Sequence, residues 1–435
     1  MIRAFILSAP FLVNIFVCQA SPKAVEFWYG HSDASARVIS ELCNRFNEAR
    51  NDDSGITCIH QGSYEQVLQK TVAAYRAGQS PALAEIYDAA TADMLLGGAT
   101  RDVETLMAAY DQQYAAGTFV PALHRYYSNS NGLIAAQPFA ASTAIMYSHR
   151  NMLAFAGVDE PPNTWEAFEA TLKSLKEKGI RCPFVTDFTP WIWLEQASAA
   201  QGSLVASQVN GTAGLNARYL FNKGSHPQLM SDLARWTKFR WVKDQAATRT
   251  GLQTQAFASG ECAILLDSTA AWRTIRESGI TDIEFTVLPV YAGTERHASV
   301  PGGTALWVLR GHDSKDYAVV AAFLAFLLRP ENQLYFSQQT GYLPVTSDAT
   351  NQVLRTLYEP TPVSIGLASL MDGHGQVSTA LRSGFMTRLR LIWQQQMQNA
   401  LNGRQTTDEA LQNTVTRGNS LLALFEETYG EFPRY

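Results

Sequence analysis

The sequence predicts an α/β protein of two lobes, each a mixed sheet flanked by helices, with multiple hinge crossings between them. Three observations predict it. The chain has 435 residues and is 46% apolar, enough for two packed domains. Its early part alternates strand and helix. Further strands recur much later, so a chain that leaves one α/β unit and re-enters it must cross between lobes more than once. The cleft between such lobes is the natural ligand site.

The elements follow from local pattern. Val25 to Tyr29 is aromatic and β-branched, a strand. Val38, Leu42 and Phe46, with Ile39 and Cys43 alongside, form the apolar stripe of a helix. Ile56 to His60 is a second strand, and Ser63-Tyr64-Glu65-Gln66 reads as a capping box that starts a helix. Leu83 to Tyr87 is a third strand, giving a βαβαβ order and parallel pairing. Thr143 to Tyr147 is the next strand. After the Pro161-Pro162 break, Asn163 with Glu166 is expected to cap a helix that buries Trp165, Phe168, Leu172 and Leu175 and stops at Gly179. Ala263 to Leu266 and Leu306 to Leu309 are strands, the latter after Gly302-Gly303. Pro330 opens a helix that Gly341 closes, and Pro344 then bends the chain around Tyr342. The last part is helical, with a stop at Gly403 and a restart at Thr406 to Glu409.

Charged residues are 17% and the formal net charge is -5, with no basic run to follow a nucleic-acid backbone. Residues 1–20 read as a signal peptide, with Arg3 ahead of an apolar run and small residues before the cut. The other long apolar run, Ala318 to Leu328, is too short to span a bilayer and reads as a buried helix. Cys43, Cys58, Cys182 and Cys262 remain in an exported chain, where disulfides form. Cys43–Cys58 is the cheapest local closure and leaves Cys182–Cys262; four free buried thiols are the alternative.

Catalytic motifs are scarce. There is no G-x-S-x-G, H-E-x-x-H or G-x-x-x-x-G-K, and the eight histidines are scattered without metal-ligand spacing. The informative polar residues sit at element ends, where open α/β sheets bind ligands. Tyr64 lies in the first turn of the capped helix, where N–H groups and the dipole favour an anion. Asp88 ends a strand and can accept protons from hydroxyls, or simply cap the next helix. Ser142 and Thr143, and Asp267-Ser268-Thr269, stand at strand ends as caps or phosphate donors. Gly302-Gly303 allows a backbone N–H to approach a ligand closely, or is a bulge. Arg382, Arg388 and Arg390 cannot share one side of a helix, and a guanidinium fork matches phosphate. Phe188 to Trp193 is an aromatic wall or core.

These residues carry a resemblance. Over roughly 24–428 the chain resembles the periplasmic glycerol-3-phosphate-binding proteins of Ugp-type ABC importers, within the larger sugar-binding class of solute receptors. The matching stretches are Gly62-Ser63-Tyr64-Glu65-Gln66, Gln137-Pro138-Phe139, Asn163-Thr164-Trp165, Trp191-Ile192, Gly303 to Val308, Thr340 to Pro344 and Leu389-Arg390. The resemblance implies a two-lobed periplasmic binding protein fold. Its N-terminal lobe would span 21–143 and 301–341, and its C-terminal lobe 144–300 and 342–435. The implied ligand set is Tyr64, Asp88, Ser142, Ser268, Gly303, Tyr342 and Arg390, with Phe188 and Trp191 on the two pocket-tryptophan positions. Arg390, the serines, Gly303 and Tyr342 would hold phosphate, and Asp88 and Trp191 would face glycerol. The family has Glu at the Asp88 position and Trp at the Phe188 position, so the glycerol end is altered and leaves room for glycerophosphodiesters. No cofactor, metal or nucleic acid is implied. The implied role is a periplasmic, monomeric receptor for an inner-membrane permease with a cytoplasmic ATPase. A sugar receptor, or a secreted hydrolase with a carboxylate pair in the cleft, are the alternatives.

Overall fold

The computed structural model describes residues 24–31, 33–50, 54–356, 360–371 and 379–430. The expected signal peptide 1–20 lies outside them. The strands are β1 (Val25–Tyr29), β2 (Ile56–His60), β3 (Leu83–Tyr87), β4 (Thr100–Arg101), β5 (Gln137–Ser142), β6 (Ala144–His149), β7 (Phe184–Thr186), β8 (Val242–Asp244), β9 (Ile264–Ser268), β10 (Ile283–Thr286) and β11 (Gly302–Leu309).

They form two mixed sheets. The first has the order β2-β1-β3-β11-β4, with β5 also paired to β11. Here β1 pairs in parallel with β2 and β3, and β11 runs antiparallel to β3, β4 and β5. The second has the order β10-β6-β9-β7-β8, with β7 parallel to β8 and β9, and β6 antiparallel to β9 and β10. Helices cover both, as parallel crossovers require. The helix Asp33–Glu48 buries Val38, Ile39, Leu42, Cys43 and Phe46, the stripe its spacing predicts. The helix Trp165–Glu177 buries Trp165, Phe168, Leu172 and Leu175. Trp165 stacks on Trp193 at 6.0 Å.

The cap of the helix at residue 165 departs from expectation. The helix at residue 165 is capped by Thr164, whose Oγ1 accepts from Ala167 N at 3.2 Å. Glu166 instead accepts from Ala292 N at 3.0 Å, so it holds a distant loop and not its own cap. The capping boxes at Ser63/Gln66 and Thr406/Glu409 are both formed. Gly341 ends the helix Pro330–Thr340 in the left-handed region at φ 81. The helix Ser314–Leu327 is largely buried, and among the described residues no helix is long and apolar enough to cross a membrane.

The chain crosses between sheets at Thr143, where β5 gives way to β6, and again before β11. Thr143 Oγ1 lies within hydrogen-bonding distance of Val300 O (3.1 Å), Ser299 Oγ (3.0 Å) and Gln196 Oε1 (3.1 Å), so the two crossings are tied side by side. Past residue 341 the chain still touches the first sheet's surroundings. Leu343 N bonds to Ala141 O, Val120 N to Val345 O and Ser347 N to Thr118 O, all with the first lobe. The helix Ser347–Thr356 packs on Pro330–Thr340, whereas Pro362–Met371 packs on β6 and β10.

Cys43–Cys58 ties a helix to β2, and Cys182–Cys262 joins the residues leading into β7 and β9. In the chain-entropy account, a cross-link stabilises more as its loop lengthens. The separations are 15 and 80 residues. Replacing Cys182 and Cys262 together by Ala is expected to lower unfolding free energy by about 2–4 kcal/mol, more than the same change at Cys43 and Cys58. Denaturant titration of the two double variants checks the order.

Candidate functional site

A cleft of about 770 Å³ opens between the lobes. Tyr64, Asp88, Ser142, Trp191, Ser268, Gly303, Tyr342 and Arg390 all line it. They come from the ends of β3, β5 and β9, the start of β11, three helical turns and the stretch after Gly341, so residues more than 300 positions apart meet at one cavity.

Phe188 does not. It is buried, and its backbone is left-handed at φ 54, which turns the ring into the core. Its neighbours Asp187 and Thr189 take the cleft-facing places. Phe188 therefore supports the wall from behind.

Arg390 holds the centre. Its Nε donates to Glu195 Oε1 at 2.7 Å, and its Nη2 donates to Glu195 Oε2 at 2.8 Å and Asp88 Oδ2 at 2.6 Å. Nη1 reaches Asp88 Oδ1 only at 3.5 Å, which leaves that nitrogen with donor capacity to spare. Asp88 is thus neither a helix cap nor a free acceptor: it begins a short 3₁₀ turn, Asp88–Ala90, and its carboxylate clamps the guanidinium. Glu195 is the functional residue that sequence reasoning missed. It lies four residues after Trp191 in a π-helical turn, Trp191–Gln196, and such widened turns recur at functional sites. Burial pushes the Glu195 carboxyl up to about 7; the Arg390 charge offsets part of this, and Asp88 adds to it. Burial works against the Arg390 charge as well, but Asp88 and Glu195 hold its pKa well above the usual range.

The other two arginines are elsewhere. Arg388 is exposed at the cleft rim over the Phe385 ring. Arg382 turns away and donates to the carbonyls of Tyr126 (3.1 Å) and Ser128 (2.7 Å).

A second polar chain lies on the first-lobe side. Tyr64 and Tyr342 bring their hydroxyls to 3.0 Å, and Tyr64 Oη is 3.3 Å from His31 Nδ1. His31 Nε2 lies 2.6 Å from the carboxylate of the fully buried Glu85. Thr304 Oγ1 and Gly30 N donate to the same carboxylate at 2.6 and 3.1 Å. Burial alone would raise the Glu85 pKa, but His31 and these donors outweigh it and lower it. Tyr64 also stacks on Tyr87 at 5.9 Å.

Two glycines are sterically required. A Cβ on Gly303 would fall 1.9 Å from Ala140 O, at φ +100, beside the register shift in β11. One on Gly302 would strike the Trp191 indole at 2.5 Å. Ser268 is partly committed, since its Oγ accepts from Ala270 N at 3.1 Å.

Carboxylates do meet in this cleft, but Asp88 and Glu195 grip one arginine and do not flank an open space where a bond could be cut. Among the described residues no group of three or more His, Cys, Asp or Glu could hold a metal.

Removing Arg390 would leave two buried carboxylates together. Arg390→Ala is expected to destabilise the ligand-free protein by about 3–5 kcal/mol at pH 8 and by less at pH 5, where Glu195 is protonated. Glu195 also has its own signature. Its folded pKa of about 7 lies above its ordinary 4.5, so between those values the folded state holds a proton the unfolded chain has lost. Its contribution to stability is therefore greatest at low pH and falls as pH rises from 4.5 to 7. Thermal unfolding across that range is expected to show a downward slope that Glu195→Gln flattens.

The model of the bacterial extracellular solute-binding proteins matches residues 41–356. The sn-glycerol-3-phosphate-binding periplasmic protein UgpB of Escherichia coli K12 is 32% identical over 417 residues, 93% of each chain. UgpB from Mycobacterium tuberculosis, solved in complex with glycerophosphocholine, superposes with a TM-score of 0.76 at 20% identity, covering 93% of this chain and 99% of that one. Maltose-bound MalE3 of T. maritima has a TM-score of 0.75 at 17% identity, covering 92% and 99%.

Proposed function

We propose a ligand for a chain that belongs to the bacterial extracellular solute-binding protein family: a glycerol phosphate, held between the lobes and delivered to an ABC permease of the inner membrane with its cytoplasmic ATPase. The protein acts as a monomeric periplasmic receptor and not as an enzyme. The observation that carries the reading is Arg390 standing in a cleft ringed by Tyr64, Tyr342, Ser142, Ser268 and the Gly303 backbone. A phosphate taken out of water needs a cation and several donors, and this is where the chain gathers them. Trp191 is left for the glycerol side, since Asp88 is committed to Arg390.

The charge count refines the ligand. Arg390 with Asp88 and an ionised Glu195 sums to minus one, and to zero when Glu195 is protonated. A phosphomonoester brings about two negative charges near neutrality, a phosphodiester one. The cluster tolerates the second far better. A glycerophosphodiester is therefore favoured over glycerol-3-phosphate itself, and the M. tuberculosis relative with glycerophosphocholine bound is consistent with this. A neutral sugar is the second reading, favoured by Trp191 in the cleft and by carboxylates able to accept from hydroxyls.

Calorimetry separates them. A glycerophosphodiester is expected to bind more tightly than glycerol-3-phosphate, and both more tightly than maltose. Binding near neutral pH is expected to take up a proton, because a phosphate beside Glu195 pushes its pKa higher still. The observed heat then varies with buffer ionisation enthalpy, and Glu195→Gln abolishes that variation. Tight binding of maltose alone would overturn the glycerol phosphate assignment.

A further inference from the structure

Behind the two cleft tyrosines lies an ionisable ring that does not itself line the cleft. His31 follows β1 and is only 4% exposed. The ring meets those of Tyr64 and Tyr342 edge-on, with centroids at 5.4 and 5.2 Å. Its Nδ1 lies 3.3 Å from Tyr64 Oη, and its Nε2 lies 2.6 Å from Glu85 Oε1. Both phenols line the cleft, with their oxygens 3.0 Å apart. Glu85, His31, Tyr64 and Tyr342 thus form one row that runs from β3 to the cavity.

The carboxylate decides the state of this row. Glu85 is fully buried, and among the described residues no Lys or Arg pairs with it. Burial alone would raise its pKa, yet His31, Thr304 and Gly30 together lower it. A buried anion needs a cation beside it, and His31 is the group in reach that can become one. The phenols keep their protons, because burial raises the Tyr64 pKa well above its ordinary value and pushes Tyr342 up to about 12.

Counting hydrogens then separates two states. A neutral imidazole holds its proton on Nε2, since a bare Nε2 would set a lone pair against the carboxylate. Its Nδ1 then accepts from Tyr64, Tyr64 Oη accepts from Tyr342, and no O–H remains for the cleft. An imidazolium carries a hydrogen on both nitrogens. Its Nδ1–H then donates to Tyr64 Oη, one phenol donates to the other, and one O–H is left over. An ionised phosphodiester only accepts hydrogen bonds, so the second state alone gives it a donor from this wall.

We propose that His31 is a positioning residue: charged beside Glu85, it donates its other N–H to Tyr64 and so leaves one phenolic O–H of the Tyr64–Tyr342 pair to the ligand. This rests on the glycerol phosphate reading for what receives that O–H. A sugar hydroxyl can pair with bare phenol lone pairs in either state, so the charge on His31 favours an acceptor ligand over a polyol.

The test combines nitrogen-15 NMR of the histidine rings with calorimetry, both on the full chain at pH 7. His31 is assigned by the signal lost in His31→Gln, and both of its ring nitrogens are expected to carry a proton in the ligand-free wild type. In His31→Gln the amide N–H faces Glu85 and the amide oxygen accepts from Tyr64, which reproduces the neutral state. Glycerophosphocholine is expected to bind it about tenfold more weakly than the wild type, the size of one hydrogen bond to a charged group. His31→Leu offers Tyr64 no acceptor, so one O–H stays free and affinity is expected to remain within about threefold. A merely structural partner of Glu85 predicts the reverse order, with Leu the more damaging. Melting temperatures of both variants check folding. An unprotonated Nδ1 in the wild type overturns the proposal without any variant, and so does a folded His31→Gln protein that binds as the wild type does. If the wild type does not bind glycerophosphocholine or glycerol-3-phosphate, the glycerol phosphate reading falls, and the spectrum still decides the state of His31.

Discussion

One buried guanidinium sets the terms for the rest of this molecule. Arg390 belongs to a helix that packs with the second lobe, yet it grips Asp88 at the end of a first-lobe strand and Glu195 on a second-lobe turn. The chain ahead of it runs along the same seam. Asn210 Nδ2 donates to Thr379 O, Arg382 donates to Tyr126 O and Ser128 O, and Phe385 N donates to Asp93 Oδ2. The lobes are thus held together by polar contacts that do not need a ligand. A ligand shifts such an arrangement only by what it adds beyond these contacts, so its differential interaction with the two lobes decides its effect.

The first-lobe wall is organised the same way, by buried charge. Glu85 is fully buried on the central β3 and is made tolerable by His31, Thr304 and Gly30 together. His31 in turn touches Tyr64, and Tyr64 touches Tyr342. The two hydroxyls offered to the cleft are therefore fixed by a chain that ends in a strand. Preorganised donors cost less to use than mobile ones, which suits a receptor built to bind and release.

Much of this was legible in the sequence, for reasons that can be named. Strands and amphipathic helices declare themselves by period, and the Ser63/Gln66 box and Gly341 mark ends through local chemistry. Site residues at strand ends, such as Asp88 and Ser268, were selected by topology alone and do line the cleft. What escaped was pairing. Glu195 sits inside an apolar run, and only the π-helical turn brings it to Arg390. Asp187 precedes a residue that reads as pocket aromatic, and the left-handed backbone at Phe188 exchanges their places. His31 was one scattered histidine among eight. Ion pairs across 302 and 195 positions leave no periodic trace, so nothing local announces them.

This pairing changes what the cleft can select. An uncompensated arginine would attract any anion, and a dianion most of all. Arg390 is already matched by two carboxylates, so an entering phosphate must offset like-charge repulsion as well as its own lost hydration. The burden grows with each negative charge on the ligand, which on the proposed reading sets Asp88 and Glu195 against a dianion more than against a monoanion. Rejection by unfavourable charge is as much a part of specificity as attraction.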